Sequence, residues 1–243
     1  MGAERVTQSN RPADIGQSIL IVGASRGLGH AMAAEFVERG WRVLGTARAP
    51  GTPLHSLAAR RPDVLEIETI ELTDHAQMLA LRDRLSDRRF DIVFVNGGIA
   101  NRTPSDTLAD VSTEEFVHVM VTNVLGVMRA IEAFGVLARP GGVIGAMSSG
   151  QGSIANNASG VNDVYRASKA ALNQAMSSYA SRRAAEARAT VLMAPGWIRT
   201  EMGGPDAPFG VEDAVPQIVD VLIAQQEKPG LRFLDRTGQT VAW

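Results

Sequence analysis

Two residues one helical turn apart could move a proton. Tyr165 and Lys169 stand at i and i+4 in YRASKAALNQA, a spacing that puts both side chains on one face of a helix. The chain uses both residue types sparingly. Its only tyrosines are Tyr165 and Tyr179, and of 24 basic residues only Lys169 and Lys228 are lysines. An isolated phenol has a pKa of about 10, and a neighbouring ammonium favours the phenolate. A downward shift of a few units would bring Tyr165 into the range where a general acid/base works best. The plainer reading is an interface tyrosine beside a surface lysine.

A second chemical signal lies near the start. Residues 23–29 read GASRGLG, after the apolar run SILIV and before the helical pattern AMAAEFVER. Glycines at such a turn allow positive φ and close approach of a ligand to the backbone. The free N–H groups and dipole of the following helix favour a pyrophosphate. The spacing is GxxxGxG, not the commoner GxGxxG, and a plain strand-to-helix loop remains the alternative. Dinucleotide folds that take NAD place an acidic residue about 20 positions on, yet none occurs from Arg39 through Pro62, and Arg48 follows the second strand. A guanidinium there can fork onto a 2′-phosphate that a carboxylate would repel, and Arg26 in the glycine loop could reach the same phosphate. This favours NADP(H) over NAD(H), against the alternative of Arg48 as a solvated loop residue.

The elements that would carry these groups alternate. Short Val/Ile-rich runs at 18–22, 41–46, 64–70, 91–96, 142–148, 189–194 and, more weakly, 231–234 read as strands. Helical patterns fill 27–39, 74–86, 112–138, 164–187 and 211–226. Such alternation predicts an α/β fold: a Rossmann-like, doubly wound parallel sheet of about seven strands with helices on both faces. Two stretches rich in Gly, Asn, Ser and Pro, 149–163 and 203–210, follow strands on the side where such sheets bind ligands. Residues 1–17 are polar and aperiodic and read as a flexible leader, with no signal-peptide core. Residues 18–243 show no linker, repeat or charge block and are expected to form one domain.

Composition narrows the classes. A net charge of −2 lacks the basic excess of a general nucleic-acid binder. There is no cysteine, so disulfides, thiolate catalysis and cysteine-ligated zinc are excluded. His55, His75 and His118 have no metal-ligand spacing, and no metal site is expected. His30 reads as an ordinary first-turn helix residue. No uninterrupted apolar stretch reaches about 18 residues, so no membrane span is expected, and the expected location is cytoplasmic.

Taken together, GASRGLG at 23–29, VNGGI at 95–99, Asn123, the serines Ser148 and Ser149, YRASK at 165–169 and PGWIRTEM at 195–202 resemble the short-chain dehydrogenase/reductase family. Coverage runs from about residue 18 to the end. The segments GSI…YRASKAALN and RTEMGGPDAP, with the closing FLDRTGQTVAW, further resemble its C-factor/Sniffer-like carbonyl reductase branch.

The resemblance implies a tetrad. Tyr165 is the acid/base. Lys169 holds the nicotinamide ribose and lowers the tyrosine pKa. Ser149, with Ser148 as rival, binds the substrate carbonyl. Asn123 supports a water between Lys169 and solvent. It further implies that Gly23, Ser25, Arg26, Gly27, Leu28 and Gly29 contact the pyrophosphate and adenosine side. Glu71 and Leu72 would lie by the adenine, Asn96, Gly97 and Gly98 along the groove, and Pro195, Gly196, Ile198 and Thr200 at the nicotinamide end.

Departures are informative. The family pattern NNAG is here Val95-Asn96-Gly97-Gly98, so a hydrogen bond between the central strands is either lost or supplied by another residue. Glu71 stands where an aspartate is usual, its longer arm retaining reach to adenine. The stripe Phe116, Met120, Val127, Ile131 and Phe134 reads as core or subunit interface. The resemblance implies pairing through the helices at 112–138 and 164–187, hence a homodimer or homotetramer. The implied activity is NADPH-dependent reduction of a ketone or aldehyde, or the reverse. The competing class is a nucleotide-binding regulatory protein with little turnover, which would bind NADPH without consuming it over a panel of carbonyls.

Overall fold

The computed structural model describes residues 16–243. Positions 1–15 of the expected leader lie outside them. Gln17, its last residue, already accepts a backbone hydrogen bond from Arg42 N at 2.9 Å and so belongs to the fold.

The chain winds through β1 (Ser18–Val22), α1 (Gly27–Glu38), β2 (Arg42–Ala47), α2 (Pro53–Arg60), β3 (Leu65–Thr69), α3 (His75–Arg84) and β4 (Phe90–Val95). The second half runs α4 (Thr113–Met120), a π-helical segment (Val121–Gly126), α5 (Val127–Phe134), β5 (Ala138–Met147), α6 (Asp163–Arg182), β6 (Ala189–Ala194), α7 (Val211–Ala224) and β7 (Gly230–Asp235). All seven strands pair in parallel in the order β3-β2-β1-β4-β5-β6-β7. The order reverses between β1 and β4, which opens a crevice at their carboxyl ends.

The strands alternate between two cores, as a period of two requires. In β1, Ile19 and Ile21 join Met32, Phe36, Leu54, Val215 and Ile218 on one face, while Leu20 and Val22 join Met78, Val127, Ile131, Phe134 and Leu172 on the other. The stripe residues Val127, Ile131 and Phe134 are therefore core.

Four differences from the sequence expectation exceed a residue or two. The helix α2 was not anticipated. It is only eight residues long, and it is set by its start: Thr52 and His55 form a capping box and Pro53 takes the first helical position, where a missing N–H costs nothing. The run 112–138 is not one α-helix, because residues 121–126 widen to π geometry. Strand β5 begins at Ala138, and its pairing with β4 shifts register between Phe90 and Ile92. The helix expected over 164–187 ends at Arg182, followed by a 3₁₀ turn at Ala184–Glu186.

Within the continuous helical run Thr113–Leu137 an 18-residue window has mean hydropathy 1.5, so the run is long and apolar enough to cross a membrane by length and composition alone. In this fold 56% of that window is buried, with its apolar side forming one of the two cores.

Candidate active site

The glycine loop follows β1 at the crevice. Gly23 adopts φ +88°, a region that favours glycine, and a Cβ on Gly29 would collide with the Gly23 carbonyl oxygen. The loop is pinned from β2: Thr46 Oγ1 accepts from Gly23 N at 3.0 Å, and Thr46 O from Ala24 N at 2.8 Å. Leu28 packs against the core. No side chain caps α1 and no acidic residue stands in its first turn, so its N–H groups face the crevice without an internal anion. That fits a bound pyrophosphate.

The altered motif before the groove explains itself. Asn96 Nδ2 donates to Gly23 O at 3.0 Å, so Asn96 ties β4 to the glycine loop where Val95 cannot. A Cβ on Gly97 would come within 2.6 Å of Leu72 Cδ2, so the glycine lets that side chain lie against the groove. Glu71 lies beside Arg48, at 3.7 Å, and both are solvent-accessible. Arg26 forms an ion pair with Glu201, across the mouth of the crevice from the segment that follows β6.

Tyr165 and Lys169 lie on α6, one turn apart as expected, and the stripe continues to Asn173 at i+8. Each of the three holds a different point at the end of β5. Lys169 is 2% exposed, and its Nζ donates to Met147 O at 2.9 Å. The ammonium also stands 5.6 Å from the centre of the Tyr165 ring. Its Nζ also lies close to Gly98, where a Cβ would be 3.2 Å away. Asn173 Oδ1 accepts from Ser148 Oγ at 2.6 Å, and Asn173 Nδ2 donates to Gly152 O at 3.2 Å. Ser148 is therefore committed to an internal bond. Ser149 Oγ accepts from Gln151 N at 3.1 Å, which leaves its hydroxyl hydrogen free to donate, and its side chain acts on the Tyr165 phenol.

Asn123 sits fully buried in the π segment. Its Oδ1 accepts from Ile99 N at 2.8 Å, and its Nδ2 donates to Ile99 O at 2.8 Å and to Ser168 Oγ at 3.0 Å. Ser168 in turn donates to Tyr165 O at 2.8 Å. The π turn, a feature often found at functional sites, thus couples the loop after β4 to the helix carrying Tyr165.

The protonation balance departs from the expectation. Burial raises the Tyr165 pKa above the ordinary phenol value, and only Ser149 draws it down. Desolvation pushes the lysine down to about 8. Burial penalises whichever form is charged, so with no cofactor both groups are pressed toward neutrality.

All the other residues singled out from the sequence fall at the carboxyl ends of strands: Ser25 and Gly27 after β1, and Pro195, Gly196, Ile198 and Thr200 after β6. The sequence reading missed Asn173 and Glu201. A polar residue two turns beyond Tyr165 on the same stripe was the available signal for Asn173; nothing local marks Glu201.

The fold and this crevice define a dinucleotide-binding oxidoreductase. Residues 17–208 match the short chain dehydrogenase family, and the chain belongs to that family of oxidoreductases. It is 34% identical to C-signal of Myxococcus xanthus over 155 residues, 63% of this chain and 92% of that protein. It is similar to the crystal structure of a short-chain dehydrogenase/reductase from Burkholderia multivorans with bound NADP: TM-score 0.92, 55% identity, covering 94% of this chain and 100% of that one. It is also similar to the carbonyl reductase Sniffer of D. melanogaster, with TM-score 0.83 and 26% identity, covering 94% and 100%.

Proposed function

We propose that the protein is an NADP(H)-dependent carbonyl reductase of the short-chain dehydrogenase family, with Ser149, Tyr165, Lys169 and Asn123 as its working residues. The observation that carries this reading is the Ser149–Tyr165–Lys169 arrangement beside an uncapped α1 terminus. NADP in the Burkholderia structure supports the cofactor choice, as do Arg26 and Arg48, two guanidiniums at the adenosine end whose partners here are solvent-accessible carboxylates.

When bound, the reduced cofactor supplies a hydride, two electrons that add to the carbonyl carbon. Ser149, with its acceptor position filled by Gln151 N, donates its hydroxyl hydrogen to the carbonyl oxygen and fixes its position. Tyr165, neutral because burial raises its pKa, delivers the proton that balances the hydride, and C=O becomes CH–OH. Lys169, anchored by Met147 O, would hold the ribose hydroxyls of the cofactor with its remaining N–H groups. It stabilises the phenolate left behind until a proton returns along the Asn123 side.

Helices α4, α5 and α6 are proposed to pair copies of the chain into a dimer or tetramer, a reading supported by the exposed Val117 on α4, Leu125 in the π segment and Val136 just after α5.

The test is NADPH consumption over neutral ketones and aldehydes by wild type and Tyr165→Phe. Wild-type turnover with retained cofactor binding but no turnover in the variant is expected. Binding without turnover in the wild type would favour a regulatory protein.

A further inference from the structure

Nine large apolar side chains are exposed among the described residues, and six of them cluster at the catalytic end: Leu108, Ile154, Val161, Trp197, Met202 and Trp243. The attachments of five of them place these around the Ser149–Tyr165 pair, and Met202 lies on the segment that follows β6. Leu108 N bonds Asp163, two residues before Tyr165. Val161 lies on the same approach to α6, and its carbonyl is held by Arg166 at 2.6 Å. Ile154 follows the Ser149 turn. The next residue, Ala155, donates to Trp243 O at 2.9 Å, and Trp243 leans on Phe233 with ring centres 5.4 Å apart. Trp197 follows β6, its indole Nε1 fixed to Gly203 O at 2.7 Å so that the ring stands 56% exposed. Contiguous exposed apolar surface at a cleft marks a binding site for apolar matter.

Charge at the same edge points the same way. The loop at 149–162 carries no charged residue. The loops at 96–112 and 195–210 together hold Arg102 and Arg199 against Asp106, Asp110, Glu201 and Asp206. Arg102 is paired with Glu115, and Arg199 is turned onto Ala207 O at 2.8 Å. The nearby Arg236 lies 3.7 Å over the Phe209 ring. With Glu201 paired to Arg26, the remaining acids Asp106, Asp110 and Asp206 still outnumber Arg102 and Arg199 on these loops, a balance that disfavours an anionic substrate.

We propose that the substrate is a neutral ketone or aldehyde with a sizeable apolar body, and not a carboxylate, a phosphate or a coenzyme-linked acyl thioester. The proposal rests on the reductase reading above and goes beyond it by naming the substrate class. The six apolar side chains cover the hydrocarbon while Ser149 and Tyr165 meet the carbonyl oxygen.

The experiment is a kinetic panel with NADPH: methyl ketones and aldehydes of increasing chain length, the same chains ending in a carboxylate, and acetoacetyl-coenzyme A. Expected is a rise in kcat/KM of about two- to fourfold per methylene over the first several carbons, the size of burying a methylene. A terminal carboxylate at equal length should cost at least about tenfold. Trp197→Ala and Ile154→Ala should flatten the length dependence, and Ile154→Lys should raise carboxylate rates relative to neutral ones. Carboxylates or the thioester reduced as well as the neutral chains would overturn the substrate class while leaving the reductase reading intact. If no carbonyl of either kind is reduced, the reductase reading fails. Calorimetry of the matching alcohols on protein loaded with NADP⁺ then decides: preference for neutral chains supports the apolar site, and preference for carboxylates overturns it.

Discussion

Asn173→Ala tests whether the hydrogen bonds behind the site set its geometry. Asn173 is 4% exposed and links Ser148 Oγ, at 2.6 Å, to Gly152 O, at 3.2 Å, so it clamps both ends of the turn that presents Ser149. The alanine removes two bonds of about 1 kcal/mol each and strands a buried hydroxyl and carbonyl, for a total loss of about 3 kcal/mol. In a domain of this size that lowers Tm by roughly 6–12 °C. Ser148→Ala removes one bond and strands Asn173 Oδ1, costing about 1.5–2 kcal/mol. Because the two share a bond, the double variant should cost little more than Asn173→Ala alone, a coupling of about 1–1.5 kcal/mol. Urea unfolding of the four proteins gives the cycle. Kinetics well below every Tm gives the functional half: kcat should fall about 10- to 100-fold, roughly 1.4–2.7 kcal/mol, with NADPH affinity changed by less than about twofold, since the glycine loop lies on other strands. Additive stabilities, or an unchanged kcat in the folded Asn173→Ala protein, would refute the clamp.

Arg48→Ala should weaken NADPH by about 1–3 kcal/mol, the size of a charged hydrogen bond, and leave NADH nearly unchanged; fluorescence titration of both cofactors checks this, and equal losses would remove Arg48 from the 2′-phosphate. Lys169→Arg should fold normally yet lose at least about 100-fold in kcat/KM, or about 2.7 kcal/mol, because a planar guanidinium cannot reproduce the compact ammonium bonded to Met147 O; steady-state kinetics with an unchanged Tm tests it, and a loss of only a few-fold would defeat it. Below pH about 8 the folded, cofactor-free protein bears the full cost of burying the Lys169 charge; between about 8 and the ordinary 10.5 the unfolded state binds more protons. Stability should therefore rise with pH across that window by up to about 3 kcal/mol relative to Lys169→Met, measured by urea unfolding at each pH; parallel profiles would show that the lysine is not desolvated. Residues 203–210 are tied down by Trp197, Thr200 and Arg199, and NADP(H) should slow their amide exchange further; unchanged exchange would count against a closing segment.

What the sequence made legible was set by local rules. The runs at 18–22 and 189–194 coincide with β1 and β6 residue for residue, because strands buried on both faces are continuous apolar runs with sharp ends. The glycine loop and the Tyr165–Lys169 pair were readable because a turn and a helix face are each defined within a few residues. The π segment was not. Helical periodicity alone cannot distinguish a slightly widened turn, and here the packing is tertiary: a Cβ on Gly126 would come 2.7 Å from Leu72 O. Between the adjacent serines, no spacing rule says which faces the phenol. The answer depends on Asn173, 25 residues from Ser148, taking one of them. The Arg26–Glu201 pair joins residues 175 apart and has no local mark at all.

The protonation state of the pair is the clearest case of a quantity that spacing cannot supply. A lysine one turn from a tyrosine suggests charge stabilising charge, and the sequence therefore implied a phenol poised near neutrality. In the fold the two side chains share one dry enclosure, and burial costs each of them its charged form: the phenol moves up and the ammonium down to about 8. This arrangement suits reduction better than a pre-formed phenolate would. On the proposed reading a neutral Tyr165 would serve as the proton donor, and the Lys169 ammonium would stabilise the phenolate it leaves. Burial thus keeps the Tyr165 phenol neutral and brings the Lys169 ammonium, still mostly protonated at neutral pH, within reach of titration near 8.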